Sequence, residues 1–250
     1  MDFALSEDQL ELKQAARAWL ADRFPLDRDW EEQDDRWAEL EELGWLDVAG
    51  AGLGFVEEAL LLEELGYVCY PGFYLGHVAG LASDGDAATV DPTRGLPRLD
   101  DETPRFRAAA AAEALGVAQR ALDLGVEQAK TRSQFGKPIG TYQAVSHPLA
   151  QTYTDVELAR SLVYRAAWCV AEQDERAPVA AAAAKAFATE AAVAACERSI
   201  QAHGGIGFTW EHPLHRFYKR ALWLEGFGRR PAELRLEVAD ALLGESSAKQ

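Results

Sequence analysis

Two loops concentrate the residue types that can hold an anion in this chain. The first, RSQFGKPIGTYQAV at 132–145, puts Arg132 and Lys137 between two helical patterns and Gln143 at the start of the second. Free N–H groups and the helix dipole at such a start favour negative charge. The same spacing also suits a plain inter-helix turn anchored by Phe135. The second loop, QAHGGIGFTWEH at 201–212, sets Gly204, Gly205 and Gly207 between an alanine-rich run and the basic segment RFYKRA. Glycines let backbone N–H groups approach a ligand, but glycine also ends helices for steric reasons. His212 and His215, spaced i,i+3, could present two ligands to a metal. No third ligand is evident and Pro213 intervenes, so no metal site is assigned. Glu225, in LWLEGFG, and Glu113, in AAAAAEALG, are carboxylates in apolar surroundings. Burial raises a carboxyl pKa and can make the group a base. An ion-paired or solvated helix residue is the commoner alternative.

Composition narrows the choices. The 250 residues carry 25 Lys and Arg against 41 Asp and Glu, a formal net charge of -16. Such a surface repels phosphate backbones, so a general nucleic-acid binder is not expected. An anionic cofactor needs local positive charge against that field, which singles out Arg132 and Lys137. Cys69, Cys169 and Cys196 are widely spaced, suggesting buried thiols in a reducing compartment rather than zinc or a disulfide framework. The opening MDFALSEDQLELKQ is acidic and amphipathic, with no apolar signal core. The alanine-rich run at 179–195 is interrupted by Lys185 and Glu190. No membrane insertion and a cytoplasmic location are therefore expected.

The elements that must position these loops read as helices. Ser6 and Gln9 form a capping-box pattern, and apolar residues at helical spacing follow as far as Pro25. The spacing predicts further helices over 28–43 and 55–66, with a short apolar one within 71–82. Residues 83–105, rich in Asp, Pro, Gly and Thr, mark a boundary. Long helices are predicted over 106–131, 143–173 and 179–202, then 212–227, and one from Pro231 to about Leu243. Nothing reads as a substantial sheet. The expected fold is all-α: an N-terminal helical domain over 1–82, a linker over 83–105, and a four- or five-helix bundle over 106–245.

Taken together these stretches resemble the acyl-CoA dehydrogenase family. FALSEDQLELKQAARAWLADR is similar to the first helix of its N-terminal domain. AAEALGVAQRALDLGVEQAKTRSQFGKPIGTYQAVSHPLA is similar to the first two helices of its C-terminal domain, and QAHGGIGFTWEHPLHRFYKRA resembles its glycine turn and basic helix. The resemblance implies FAD and the α,β-dehydrogenation of an acyl-CoA thioester. It implies that the two loops reach across a subunit interface to a neighbour's FAD. Arg132 would pair with the pyrophosphate, Gln134 and Phe135 would line the dinucleotide, and Gln143 would lie near it. Gln201, Gly204 and Gly205 would supply further contacts. An electron-transferring flavoprotein is the family's usual acceptor.

Two departures qualify the resemblance. The family's middle β-domain, which covers the flavin ring, is nearly absent, because 83–105 is too short for a barrel; ATVDPTRGLPRLD looks like a remnant of its last strands. The family's catalytic carboxylate is also missing from both of its usual places. Counted without gaps from Gln201, one place is Gly228, nearly one helical turn beyond Glu225. The other, on the first C-terminal helix, is Phe106, close to Glu102. Glu225 and Glu102 are ranked as base candidates below the reading that this chain has no base. The expected function is a degenerate subunit of a hetero-oligomeric dehydrogenase, an α2β2 assembly with a full-length partner. It would supply half of a shared FAD site. The alternatives are a self-sufficient short dehydrogenase using Glu225, and a non-catalytic acyl-CoA-binding or scaffold protein.

Overall fold

The computed structural model describes residues 5–30, 34–72, 74–81 and 102–247. Its elements are α1 (Glu7–Arg23), α2 (Trp37–Glu42), α3 (Phe55–Tyr67), α4 (Tyr74–Val78), α5 (Pro104–Thr131), β1 (Ser133–Gln134), β2 (Lys137–Pro138), α6 (Gln143–Ala171), α7 (Ala177–His203), α8 (Leu214–Gly226) and α9 (Pro231–Ser247). Among the described residues the fold is all-α, relieved only by the two-residue antiparallel pair β1–β2. The linker expected at 83–105 lies outside the described residues up to position 101. Its end is visible: the Thr103 hydroxyl accepts the Phe106 N–H at 3.1 Å and Pro104 opens α5. Pro at that place has no donor to lose and a preset φ.

Alanine makes the centre of the bundle. α5 buries Ala108, Ala111, Ala114, Ala118 and Ala121, and α7 buries Ala181, Ala184, Ala188, Ala192 and Ala195, all in one core cluster. α5 lies along α7, and small side chains let the two axes come close. The Ala177–Phe208 stretch is long and apolar enough to cross a membrane by length and composition. Two thirds of its most apolar window, 67%, is buried within the bundle, so that apolar surface serves core packing. α6, α8 and α9 complete the layer around α7. The three cysteines are free and buried.

The N-terminal helices dock through α3. A Cβ on Gly66 would overlap the Glu113 carbonyl oxygen, and one on Gly116 would overlap the Glu63 carbonyl oxygen. The two glycines bring α3 and α5 into backbone contact. Glu63 and Glu64 are buried beside this crossing and are neutralised from α1 and α6. Lys13 Nζ lies 2.7 Å from Glu63, Tyr164 donates to Glu63 at 2.8 Å, and Arg160 and Arg17 pair with Glu63 and Glu64 respectively.

The helix expected over 28–43 is corrected to the six residues of α2. Side chains divert the backbone before it. Asp34 accepts the Arg36 N–H at 3.0 Å and Asp35 accepts the Trp37 N–H at 3.1 Å, while Arg36 is left-handed at φ 50°. Arg28 and Trp30 also donate to the carbonyls of Phe24 and Leu26. Such side-chain bonds compete with the helical ladder. The other helices fall within a few residues of their expected bounds.

Replacing Gly116 or Gly66 with Ala forces a methyl into backbone atoms that cannot rotate away. Each substitution should cost about 3 kcal/mol, the upper end for overpacking, measured by chemical denaturation. An unchanged denaturation midpoint would contradict the close crossing.

Candidate functional site

The two loops singled out in the sequence are brought together. α5 ends at Thr131, and the chain turns out through Arg132, whose N–H still bonds to the Gln128 carbonyl at 3.0 Å. β1 and β2 form a hairpin whose tip is Phe135 at φ 54° and Gly136 at φ 81°. Ile139 N–H closes it onto the Arg132 carbonyl at 2.9 Å. The glycine turn at the end of α7 lies alongside, because an Arg132 guanidinium N–H donates to the His203 carbonyl at 2.9 Å. Arg132 has no carboxylate partner among the described residues, so its charge faces outward. Gln143 opens α6 and Gln201 sits in the last turn of α7, both exposed. Gln134 is exposed on β1, its side-chain amide donating to the Ser133 carbonyl at 2.8 Å.

The three glycines of the turn have three different reasons to be there. Gly204 is at φ 70°, which ends the helix and favours glycine. Gly207 is packed: a Cβ would meet the Ile200 carbonyl oxygen at 3.0 Å. Gly205 has neither constraint. Its φ is not positive and a Cβ there would meet nothing within 4 Å. Neither packing nor backbone conformation among the described residues requires glycine there.

The plain-turn alternative for the first loop needs Phe135 as a packed anchor. The structure corrects that: Phe135 is 93% exposed, in a left-handed backbone conformation that non-glycine residues seldom adopt. Ile206, Phe208 and Trp210 of the second loop are exposed as well. Both loops therefore carry large exposed apolar side chains, and such exposure marks a contact surface.

The histidines beneath the turn are structural in geometry. His203 Nδ1 donates to the Ser199 carbonyl at 2.8 Å and its ring lies 4.4 Å from that of His212. His215 Nδ1 donates to the His212 carbonyl at 2.8 Å. Burial, with the neighbouring rings, pushes His212 down to about 4, and burial lowers His203 and His215 too. They are neutral at pH 7, and Arg132 supplies the charge of the site. Among the described residues no three His, Cys, Asp or Glu side chains gather as a metal site would require.

The carboxylates singled out in the sequence lie elsewhere. Glu225 is at the far end of α8, whose 13 residues span about 20 Å. Burial raises its pKa, and Glu190 and Glu197 add to the rise. It borders a cavity of about 430 Å³ with Glu190, Leu222 and Arg230. Glu113 is buried and paired with Arg220, the ion-paired alternative. The Glu102 side chain is covered just before α5, 2.9 Å from Lys185 Nζ and 2.9 Å from Arg107 Nε, and it accepts the Arg229 N–H. Burial alone would raise its pKa, but Lys185 and these hydrogen bonds outweigh that and hold it low.

Phe106 and Gly228 converge on this cluster. Lys185 Nζ lies 5.0 Å from the Phe106 ring centroid, and a Cβ on Gly228 would overlap Glu102 Oε1. Lys185 also donates to the carbonyls of Phe227 at 2.6 Å and Arg229 at 3.0 Å, and Arg107 reaches Glu237 of α9 at 2.6 Å. Sequence reasoning missed this lock. Its one trace in the sequence is Lys185, which breaks an alanine run: a lysine amid buried alanines needs an acid.

Comparison with known proteins matches this arrangement. Residues 93–228 match the family model described as acyl-CoA dehydrogenase, C-terminal domain, and residues 6–85 match the acyl-CoA dehydrogenase N-terminal domain. The chain is 44% identical over 145 residues to acyl-CoA dehydrogenase IpdE2 of Mycobacterium tuberculosis, covering 54% of this chain and 44% of the relative. It is 40% identical over 156 residues to the probable acyl-CoA dehydrogenase YngJ of Bacillus subtilis, covering 61% and 40%. These matches thus span less than half the length of the curated relatives. Butyryl-CoA dehydrogenase of Megasphaera elsdenii shares the fold with a TM-score of 0.80 at 19% identity, over 97% of this chain and 100% of that one. A chain of the ChsE4-ChsE5 complex of Mycobacterium tuberculosis does so with a TM-score of 0.75 at 21% identity, over 97% and 99%.

The lock should be stabilising and acid-sensitive. Lys185→Met strands a buried carboxylate and should cost about 3 kcal/mol. A depressed Glu102 pKa contributes stability that is complete above the ordinary carboxylate value of about 4.3. That contribution fades as pH falls through the lower folded value. Denaturation of wild type and Glu102→Gln across pH 3–7 should therefore show a gap that narrows toward the acid end. A gap independent of pH would refute the ionised assignment.

Proposed function

Because the chain belongs to the acyl-CoA dehydrogenase family, we propose that it serves as the degenerate partner in a hetero-oligomeric, FAD-dependent acyl-CoA dehydrogenase. The observation that carries this reading is the contrast between the two ends, one open and one filled. The Arg132–Gly205 cradle sits at one end of the bundle, and the position of the family's base, filled by the Glu102–Lys185 lock, sits at the other. The chain offers half of a cofactor site without the half that does chemistry.

The cradle fits one half of FAD. Arg132 can fork onto a pyrophosphate as a charge-assisted pair. The open surface at Gly205 lets backbone approach the same group, and Gln134, Gln143 and Gln201 present amides around it. Phe135, exposed at a strained hairpin tip, gains burial when a second chain covers it. When bound, FAD takes up the β-hydride of an acyl-CoA thioester while a carboxylate accepts the α-proton. In this reading a full-length dehydrogenase chain supplies that carboxylate and the flavin-ring pocket, in an α2β2 assembly with FAD shared across the interface. That a relative in fold was solved as a two-chain complex, ChsE4-ChsE5, supports the assembly type. An electron-transferring flavoprotein is the proposed acceptor.

A second reading draws on Glu225, whose raised pKa suits a general base. A self-sufficient short dehydrogenase would use it. Glu225→Gln separates the two: full activity of the assembly is expected, and a loss of several hundred-fold would favour the second reading.

The cradle itself is tested by co-expressing the chain with its genomic neighbours and measuring flavin per assembly. Arg132→Ala and Gly205→Leu should each cost most of the bound FAD while leaving this chain's thermal midpoint within about 2 °C, as for surface changes. Unchanged flavin in both variants would sink the proposal. An assembly that never contains flavin would favour the scaffold or acyl-CoA-binding alternative.

A further inference from the structure

His203, His212 and His215 lie under the glycine turn, and the proposed cradle uses none of their side chains. The His212 ring centroid is 4.4 Å from that of His203, which is buried. His212 Nδ1 accepts the Leu214 N–H at 3.2 Å. Leu214 opens α8 and is fully buried, and an N–H in the first turn has no acceptor within its own helix. A neutral ring that accepts at Nδ1 carries its one proton on Nε2, so a second proton has only Nδ1 to go to. The proton and the Leu214 amide therefore compete for one lone pair. If the proton wins, a buried N–H is left unpaired, which is costly.

The surroundings of the rings repel a further positive charge. Arg132 faces His203 from the end of α5, and Arg216 and Lys219 face His215 from α8. The same two α8 cations attend the Trp210 indole, with the Arg216 guanidinium carbon 5.3 Å and Lys219 Nζ 4.6 Å from its ring centroid. That indole meets His215 edge-on at 4.7 Å. His203 and His215 each spend Nδ1 on a carbonyl, of Ser199 and His212 respectively. Glu211, next to His212 in sequence, is exposed, and its carboxyl is held low by the Thr209 side chain and its own backbone rather than by a ring.

We propose that His212 is an acid-sensitive latch of the glycine turn: a proton at Nδ1 displaces the Leu214 amide and releases the turn from the start of α8. The turn also presents the His203 carbonyl to Arg132, so opening loosens the contact between the two loops. The consequence for a bound cofactor rests on the proposed cradle, whereas the latch itself does not. In the closed turn, burial and then His203 and His215 hold His212 down at about 4, and in an opened turn it returns toward the ordinary value of about 6.5. Closure is therefore fully favoured above about 6.5 and weakens as pH falls toward 4. For one proton the limit is about 10-fold in the closing equilibrium per pH unit.

The test is hydrogen exchange of the purified chain, read by mass spectrometry on peptides spanning 204–214 and corrected for the intrinsic pH dependence of exchange. Wild type should lose protection there several-fold between pH 6.5 and pH 4.5, while peptides from 108–121 of α5 stay protected. His212→Asn keeps an acceptor for the Leu214 N–H and has no proton to gain, so its protection should not change with pH. His212→Ala should be as poorly protected at pH 6.5 as wild type is at pH 4.5. Melting curves at pH 7 check that both variants fold. Protection that is flat in wild type, or that falls equally in wild type and His212→Asn, overturns the latch. So does a wild-type loss that extends to 108–121, which marks global acid unfolding. A failed cradle shows instead as flavin kept in the Arg132→Ala assembly, and it leaves the latch as it stands.

Discussion

Alanine packed against alanine along α5 and α7 fixes where everything else in this protein can be. The two helices are 28 and 27 residues long, rods of about 40 Å. They run side by side in the same direction. Glu102 and Phe106 at the start of α5 meet Lys185 in the first part of α7, and Arg132 at the end of α5 meets His203 at the end of α7. Small side chains permit this close, extended contact, and a larger residue in the seam would splay one end. The pair therefore behaves as a rigid bar that holds one loop set at each end.

Polar groups then act as fasteners on an apolar bar. Glu63 and Glu64 tie α3 to α1 and α6, Glu113 ties α5 to α8 through Arg220, and Glu102 ties α5 to α7 and the approach to α9. Each is a carboxylate buried with a cation, and burial of either member without the other would be costly. Arg132 breaks the pattern. At the bar's end it has no carboxylate partner among the described residues, in an acidic protein. An uncompensated positive charge in such a field attracts anions, as the proposed role requires.

Much of this was legible in the sequence because helical periodicity, caps and breakers are local. Ser6 with Gln9, Pro104, Pro231 and the glycines mark helix ends that the fold respects. The failure over 28–43 is local too: Asp34 and Asp35 look like polar helix residues until their side chains take the backbone donors of Arg36 and Trp37. The pairing of the two loops was legible only through family resemblance, since Arg132 and His203 are far apart in sequence. Lys185 with Glu102, and Trp210 with Lys219 and Arg216, could not be read, because spacing within one helix says nothing about which face meets which neighbour. The lysine in an alanine run was the one visible trace.

Geometry also explains why the cradle and the base position need not serve one reaction. They lie at opposite ends of a bar far longer than a flavin ring's reach to its substrate, and the bar is too well packed to fold back. A chain with both ends active would still offer its cradle to one catalytic centre and its base to another. In the proposed reading, giving Gly228 over to Glu102 in place of a base would leave the cradle's role intact. Phe135 and Gly205 carry the same logic at finer scale. One puts a large apolar side chain where only a neighbour can cover it, and the other withholds a side chain where neither packing nor backbone conformation forbids one. Both features fit the proposal that something from outside this chain occupies that end of the bundle.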